Sequence, residues 1–420
     1  MTKLMKTQHA EAHPRPAKGF VLALEELTTG ERAFLSYLLR HREASRSTFA
    51  EAFGYSKTKT NALITSLIDT GYLVESEDHV STGGRGATVL RLRENLAYVI
   101  GIDLGATSVR VALSNMCGEI IALHDQDLDV RSGPTACLKE IIALIRLALQ
   151  QTGIEPRQLA AIGMGVPGPI EFGTGLLIAP PIMPNWGGYA VRDHLVEEFG
   201  TEVFIDNEVN LMALGEMWRS STVISNALFV KVSTGIGAGI LSQGRIYRGA
   251  DGAAGDIGHI CAEEDGPNCT CGNTGCLEAI ASGSAIASQA ERAGKAGKSD
   301  LLAKLCAEKG TLTLADVGAA VREGDQMATS IIKESGQQVG RVLAGLVNFF
   351  NPERIIIGGS ITQTGYLFLA AVRHAIYNRS LPLSTRHLTI EYSHLEGTAG
   401  VSGAVILAWQ ELFYERGRQY

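Results

Sequence analysis

At 420 residues the chain is too long for one compact core, so two or three domains are expected. Its 45% hydrophobic and 19% charged residues, with 48 glycines for tight turns, are those of a globular protein, and no apolar run of 18 residues or signal-peptide h-region occurs; a membrane partner is excluded and a cytoplasmic location expected. The net charge of −7 excludes a strongly basic chain, yet residues 1–95 hold 13 Lys and Arg against 11 Asp and Glu, which permits DNA binding there without demonstrating it.

Residues 1–25 contain two prolines and little periodicity, and are expected to form a flexible tail. Thr28 and Glu31 then have capping-box spacing, and Phe34, Leu35, Leu38 and Leu39 follow at helical intervals. A short second helix begins near Ser45 and carries Phe49, Ala50 and Phe53 before Gly54 breaks it. Ser56 caps a third helix with Leu63, Ile64 and Leu67 on its apolar face, and Gly71 ends it. Tyr72-Leu73-Val74, a polar loop over 75–78 and a strand ending at Leu92 would complete a wing. Residues 26–95 therefore read as a winged helix-turn-helix DNA-binding domain. Ser56, Lys57, Thr58, Lys59, Thr60 and Asn61 lie at the end of the helix expected to enter the major groove. Lys57 and Lys59 suit phosphates or guanines, and Asn61 an adenine edge; a helical protein-interaction module is the alternative.

Residues 96–420 contain a faint repeat. Tyr98–Thr107 and Leu228–Gly239 each lead from a strand through a Gly-rich turn into a second strand, a Gly turn and a third strand. Two such units, each followed by helical segments, predict two similar α/β lobes with a cleft between them.

Seven cysteines occur, and Cys261, Cys269, Cys271 and Cys276 fall within sixteen residues. His259, Cys269, Cys271 and Cys276 offer one imidazole and three thiolates, the donors zinc prefers in closed tetrahedral structural sites. Gly272 and Gly275 would let the backbone fold back to bring Cys276 to the same ion. The single residue between Cys269 and Cys271 departs from ordinary zinc-finger spacing. Cys261 is a competing ligand, and a set of buried or redox cysteines is the alternative.

The stretch from Gly255 to Glu278 is very similar to the signature of the ROK family, which groups bacterial sugar-responsive repressors with sugar kinases. Further family-like segments are Gly54-Tyr-Ser56, Gly83-Gly84-Arg85, Asp103-Leu-Gly-Ala-Thr107, Gly165-Val-Pro-Gly-Pro169, Ser233-Thr-Gly-Ile-Gly237 and Asn351 to Gly359. The resemblance implies an α/β, actin/hexokinase-like (ribonuclease H-like) ATPase fold behind the winged helix-turn-helix, with a monosaccharide between its lobes. It implies Asn207, Glu208, Asp256, His259 and Glu278 as sugar-binding residues, with His259 shared between zinc and a hydroxyl. Asp103, Gly105, Thr107, Gly235, Gly237, Gly358 and Gly359 would cradle Mg-ATP in a kinase, or survive as turns of the fold.

Two departures matter. Active family kinases carry Asn-Asp where this chain has Asn207-Glu208, that Asp being the general base, and a Glu where it has Asp256. Moving the base by about one methylene can cost about 10²-fold in rate. The resemblance therefore favours a sugar-controlled repressor without ATP as cofactor and without a catalytic residue; an ATP-dependent sugar kinase is the alternative. Asp206, one position early on a strand, is expected to point elsewhere. Gly83 to Gly86 resembles the element by which family repressors place an arginine, here Arg85, in an A·T-rich minor groove; a flexible linker is the alternative. Two heads on a palindromic operator imply a homodimer or dimer of dimers. Xylose, glucose and amino sugars are all plausible effectors for the family.

Overall fold

The structure is a computed structural model that describes residues 17–80, 87–180, 182–220, 224–395 and 397–413. In the head, the Thr28 hydroxyl accepts from Glu31 N while a Glu31 carboxylate oxygen accepts from Thr28 N at 2.8 Å, starting the helix Thr29–His41. Ser45 caps Arg46–Phe53, Gly54 ends it in the left-handed region at φ 62°, and Ser56 caps Lys57–Asp69. Phe34 of the first helix stacks on Phe49 of the second with ring centroids 4.1 Å apart, joining these two helices.

The wing differs from expectation in one respect. The polar run over 75–78 is strand, not loop: Leu73–Val80 pairs antiparallel with Ala87–Leu92, with an irregularity between Ser76 and His79. A solvated antiparallel pair satisfies its backbone whatever its side-chain polarity, so polarity alone did not mark a turn there. A three-residue strand, Glu43–Ser45, pairs on the other edge of Ala87–Leu92.

The repeat corresponds to two five-stranded sheets of the same design. The first runs Glu202–Asn207, Leu159–Val166, Tyr98–Leu104, Ser108–Asn115, Ile120–Asp127; the second runs Arg245–Ile246, Ile236–Ser242, Ala227–Val232, Arg354–Gly358, Thr389–Tyr392. In each, three consecutive strands are antiparallel and two later strands add in parallel. Tyr98–Leu104 is buried throughout because the sheet is covered on both faces, which explains its apolar run in place of alternation.

One face of the first sheet is covered by the C-terminal helix Ala399–Phe413. It lies so close that a Cβ at Gly163 would collide with the carbonyl oxygen of Ala404, and one at Gly101 would meet Val405 Cγ2 at 2.7 Å. The helix Glu208–Arg219 packs on it with equally little space: a Cβ at Gly403 would strike Leu211 O, and one at Gly215 would strike Ala399 O.

The far end of the C-terminal helix joins the head. The tail expected over 1–25 is helical from Ala17 to Glu25, because Phe20 and Leu24 have somewhere to go. Phe20 is fully buried, with ring centroids 5.7 Å from Tyr72 and 6.4 Å from Trp409. Leu38, Leu39, Tyr72, Trp409 and Phe413 belong to one continuous buried cluster, so the head does not have a core of its own. Trp409 also donates from Nε1 to Asn115 O at 3.1 Å.

Trp409→Ala removes that indole and its hydrogen bond and should cost about 3–5 kcal/mol of stability. It should also loosen the head. Thermal unfolding alongside limited proteolysis checks this: a head cut no faster than in the wild type would show that it does not depend on this contact.

Candidate functional site

Four side chains converge beside the cleft. The ligating atoms of His259, Cys269, Cys271 and Cys276 all lie within 4.8 Å of one another. His259 Nδ1 is 3.7 Å from Cys269 Sγ, and Cys271 Sγ is 3.7 Å from Cys276 Sγ. Metal–sulfur bonds of about 2.3 Å in a tetrahedron would put ligands about 3.8 Å apart, so the donor set fits a tetrahedral thiolate–imidazole centre. The backbone makes this reach possible at Gly275 (φ 70°), where a Cβ would collide with Glu263 O. The competing ligand Cys261 stays outside the group; it is exposed, and its backbone bridges to that of Cys276.

His259 also lines a cavity of about 740 Å³ between the lobes, together with Asn207, Glu208, Asp256 and Glu278. All five residues expected around a sugar are therefore brought together, with unequal freedom. The Asn207 amide is engaged at both ends: Oδ1 accepts from Val209 N at 2.8 Å as the helix cap, and Nδ2 donates to Gly168 O at 3.0 Å. Glu278 Oε2 accepts from Ile236 N at 2.9 Å, and its carboxylate occupies the space a Cβ on Gly235 would need. Asp256 is open to the cavity mouth. Asp206 points away as expected, buried against Arg248 at 2.8 Å and Asn210 Nδ2 at 3.0 Å.

Glu208 is buried at the first turn of its helix, with Oε1 2.5 Å from Lys231 Nζ and Oε2 without a partner. Lys231 had no place in the sequence reading. Its signal was present: a lysine inside the strand Ala227–Val232, whose other residues are all buried, needs a counter-charge.

The residues expected to cradle phosphate separate into two groups. Asp103, Gly105, Thr107 and Gly359 line a second pocket of about 730 Å³, to which Glu208 and Lys231 also contribute. Gly235 and Gly237 instead belong to the wall of the first cavity, and a Cβ on Gly358 would collide with the ring of Phe229. Packing leaves no room for a Cβ at Gly235 or Gly358, and only a tight fit against Val209 at Gly237.

On the head, Ser56, Lys57, Thr58, Lys59 and Asn61 are exposed. Thr60 is not: it is 1% exposed, so its expected place among the DNA-facing residues is corrected. It falls one helical turn before Ile64, on the face that packs inward. Lys59 Nζ lies 3.5 Å from the Tyr55 ring centroid, and Asn61 Oδ1 accepts from Arg46 at 3.2 Å. Arg46 and Tyr55 line a groove of about 540 Å³ with Lys57 and Asn61; neither was among the expected DNA-facing residues, because both precede the helix expected to enter the major groove. Arg85 lies outside the described residues.

Comparison with known proteins accords with this arrangement. The ROK family model matches residues 99–411, and the chain belongs to the ROK family. It is 32% identical over 379 residues to a xylose repressor of Caldicellulosiruptor bescii, covering 90% of this chain and 94% of that protein. It is also 32% identical to a glucokinase of Halalkalibacterium halodurans over 325 residues, 77% of this chain and 98% of the kinase. Among solved structures, a ROK family transcriptional regulator described as a homologue of the Escherichia coli MLC protein superposes with a TM-score of 0.76 at 25% identity, covering 94% of this chain and 97% of its own. The fold is the actin/hexokinase-like α/β fold of the family, and no helix among the described residues is long and apolar enough to cross a membrane.

Asp103 gives the site a pH dependence. It is fully enclosed beside Gly400 at the start of the C-terminal helix, and burial, with the charge of Glu208 adding to it, raises its pKa to about 7. The folded state therefore holds this proton more tightly than the unfolded state, whose value is near 3.8. Stability is greatest below the unfolded value and weakens as pH rises towards about 7. Asp103→Asn should be more stable than the wild type at pH 8, by about 4 kcal/mol at most, and lose that advantage by pH 4. Thermal melts of both proteins across this range check it; parallel curves would contradict it.

Proposed function

We propose that this protein is a DNA-binding transcriptional regulator, a repressor of carbohydrate uptake or catabolism genes, whose operator affinity is set by a monosaccharide in the cavity between the lobes. The observation that carries this reading is the path from cavity to head. The helix Glu208–Arg219 begins at the cavity and has 12 residues, about 18 Å. Near its other end, Trp218 lies under Arg40 of the head's first helix, 5.6 Å from guanidinium carbon to ring centroid. The longer match to a repressor than to a glucokinase supports the same reading, since the repressor match extends over 379 residues against 325.

In this reading residues 26–95 read the operator and residues 96–420 bind the effector. Ser56, Lys57, Thr58, Lys59 and Asn61 face the major groove, with Arg46 beside them, and Arg85 reaches an A·T-rich minor groove. A palindromic operator requires two heads, hence a homodimer or dimer of dimers. The sugar is held by Glu208, Asp256, His259 and Glu278, while Asn207 holds the cavity wall to the helix. Zinc is the metal the His259, Cys269, Cys271 and Cys276 donors suit; bound there, it would brace the wall and fix the His259 ring. A ligand shifts operator affinity only by its differential affinity for the two forms, so sugar and operator must be reciprocally linked.

The second reading, an ATP-dependent sugar kinase, is favoured by the pocket containing Asp103 and Gly359 and by the glucokinase match. It is weakened by Glu208, which is both longer than the kinase aspartate and tied to Lys231. Sugar-dependent ADP release at ordinary enzymatic rates would promote it.

The test is a thermal-shift screen against D-xylose, D-glucose and N-acetyl-D-glucosamine, followed by titration with an operator selected from random duplexes. A bound sugar should change operator affinity at fixed salt; if it does not, the regulatory half of the proposal is wrong. Lys57→Ala should weaken operator binding and lower the salt slope by about 0.9 for a phosphate contact. Cys271→Ser should lower metal content, stability and sugar affinity together. Sugar affinity that survived metal loss in the folded variant would leave the centre a purely structural role.

A further inference from the structure

Glu208 and Lys231 come from different lobes. Glu208 follows the first-lobe strand Glu202–Asn207, and Lys231 lies in the second-lobe strand Ala227–Val232. Their side chains are 8% and 15% exposed, and both line the sugar cavity and the second pocket, so the pair stands at the passage between the two. A buried carboxylate without a cation is strongly disfavoured, and the Lys231 ammonium supplies that cation. It does so at one oxygen only. Glu208 Oε2 is buried and has no hydrogen-bond partner. A buried acceptor without a partner costs about 1–3 kcal/mol until a donor reaches it. A sugar hydroxyl is such a donor.

We propose that Lys231 is the positioning residue of the sugar site: it holds Glu208 by Oε1 as a charged acceptor and leaves Oε2 to receive a ligand hydroxyl. The inference rests on the sugar reading of the cavity and deepens it. A carboxylate paired with an ammonium remains a good hydrogen-bond acceptor.

The experiment is a double-mutant cycle on the full chain, read by calorimetric titration with whichever of D-xylose, D-glucose or N-acetyl-D-glucosamine gives the largest thermal shift. Lys231→Met and Glu208→Gln should each lower affinity about tenfold or more, and the double variant should bind about as weakly as the weaker single one. Should Lys231→Met fail to fold, Lys231→Gln carries the same cycle. Wild-type affinity in the Lys231 variant, or losses that multiply in the double variant, would overturn the proposal, since a merely structural lysine acts independently of Glu208. Wild-type protein that bound none of the three sugars would instead defeat the sugar reading itself.

Discussion

The constraint on which most of this structure depends is the close approach of backbone to backbone around the C-terminal helix. Gly101 and Gly163 in the first sheet, and Gly215 in the helix that starts at the cavity, are glycines because the helix leaves no room for a Cβ. Gly403 plays the same part from the C-terminal helix itself. Interiors packed at this density have few small displacements available. Sheet, C-terminal helix and cavity helix are thereby fixed to one another, and the head is fixed to them through Phe20, Tyr72 and Trp409.

Within that frame the cleft handles its buried charges differently. Asp206 is fully spent on Arg248, Asn210 and the Asn207 backbone N–H, and so serves the fold alone. Glu208 is half spent, on Lys231, and leaves one buried oxygen without a partner. Asp103 has an oxygen without a hydrogen-bond partner and responds by holding its proton up to about neutral pH. Three neighbouring carboxylates thus differ in chemistry because of what stands beside each.

The local features of the fold were legible in the sequence. The Thr28–Glu31 capping box, the Gly54 turn, the repeated strand–turn–strand unit and the cysteine spacing depend on near neighbours in the chain, and the structure has them where they were expected. Long-range pairings were less accessible. Nothing local announces that Lys231 meets Glu208, that Arg46 meets Asn61, or that Ala17–Glu25 becomes helical on meeting Trp409. Thr60 was misjudged because a polar residue at a helix start reads as solvated, although its helical phase with Ile64 and Leu67 turns it inward. The glycines of Ser233-Thr-Gly-Ile-Gly237 suggested a phosphate loop, whereas the Glu278 carboxylate fills the space beside Gly235 and Val209 crowds Gly237.

The shared core beneath the head bears on how such a chain could be recombined. A chimera cut at residue 95 would part Leu38, Leu39 and Tyr72 from Trp409 and Phe413, and would expose apolar surface on both pieces. The transplantable unit is discontinuous: the head travels with its own leading helix and needs a matching face on the last helix of its new host. Exchange of DNA specificity within one scaffold is correspondingly easier at the exposed positions of Lys57–Asp69 than by grafting whole heads.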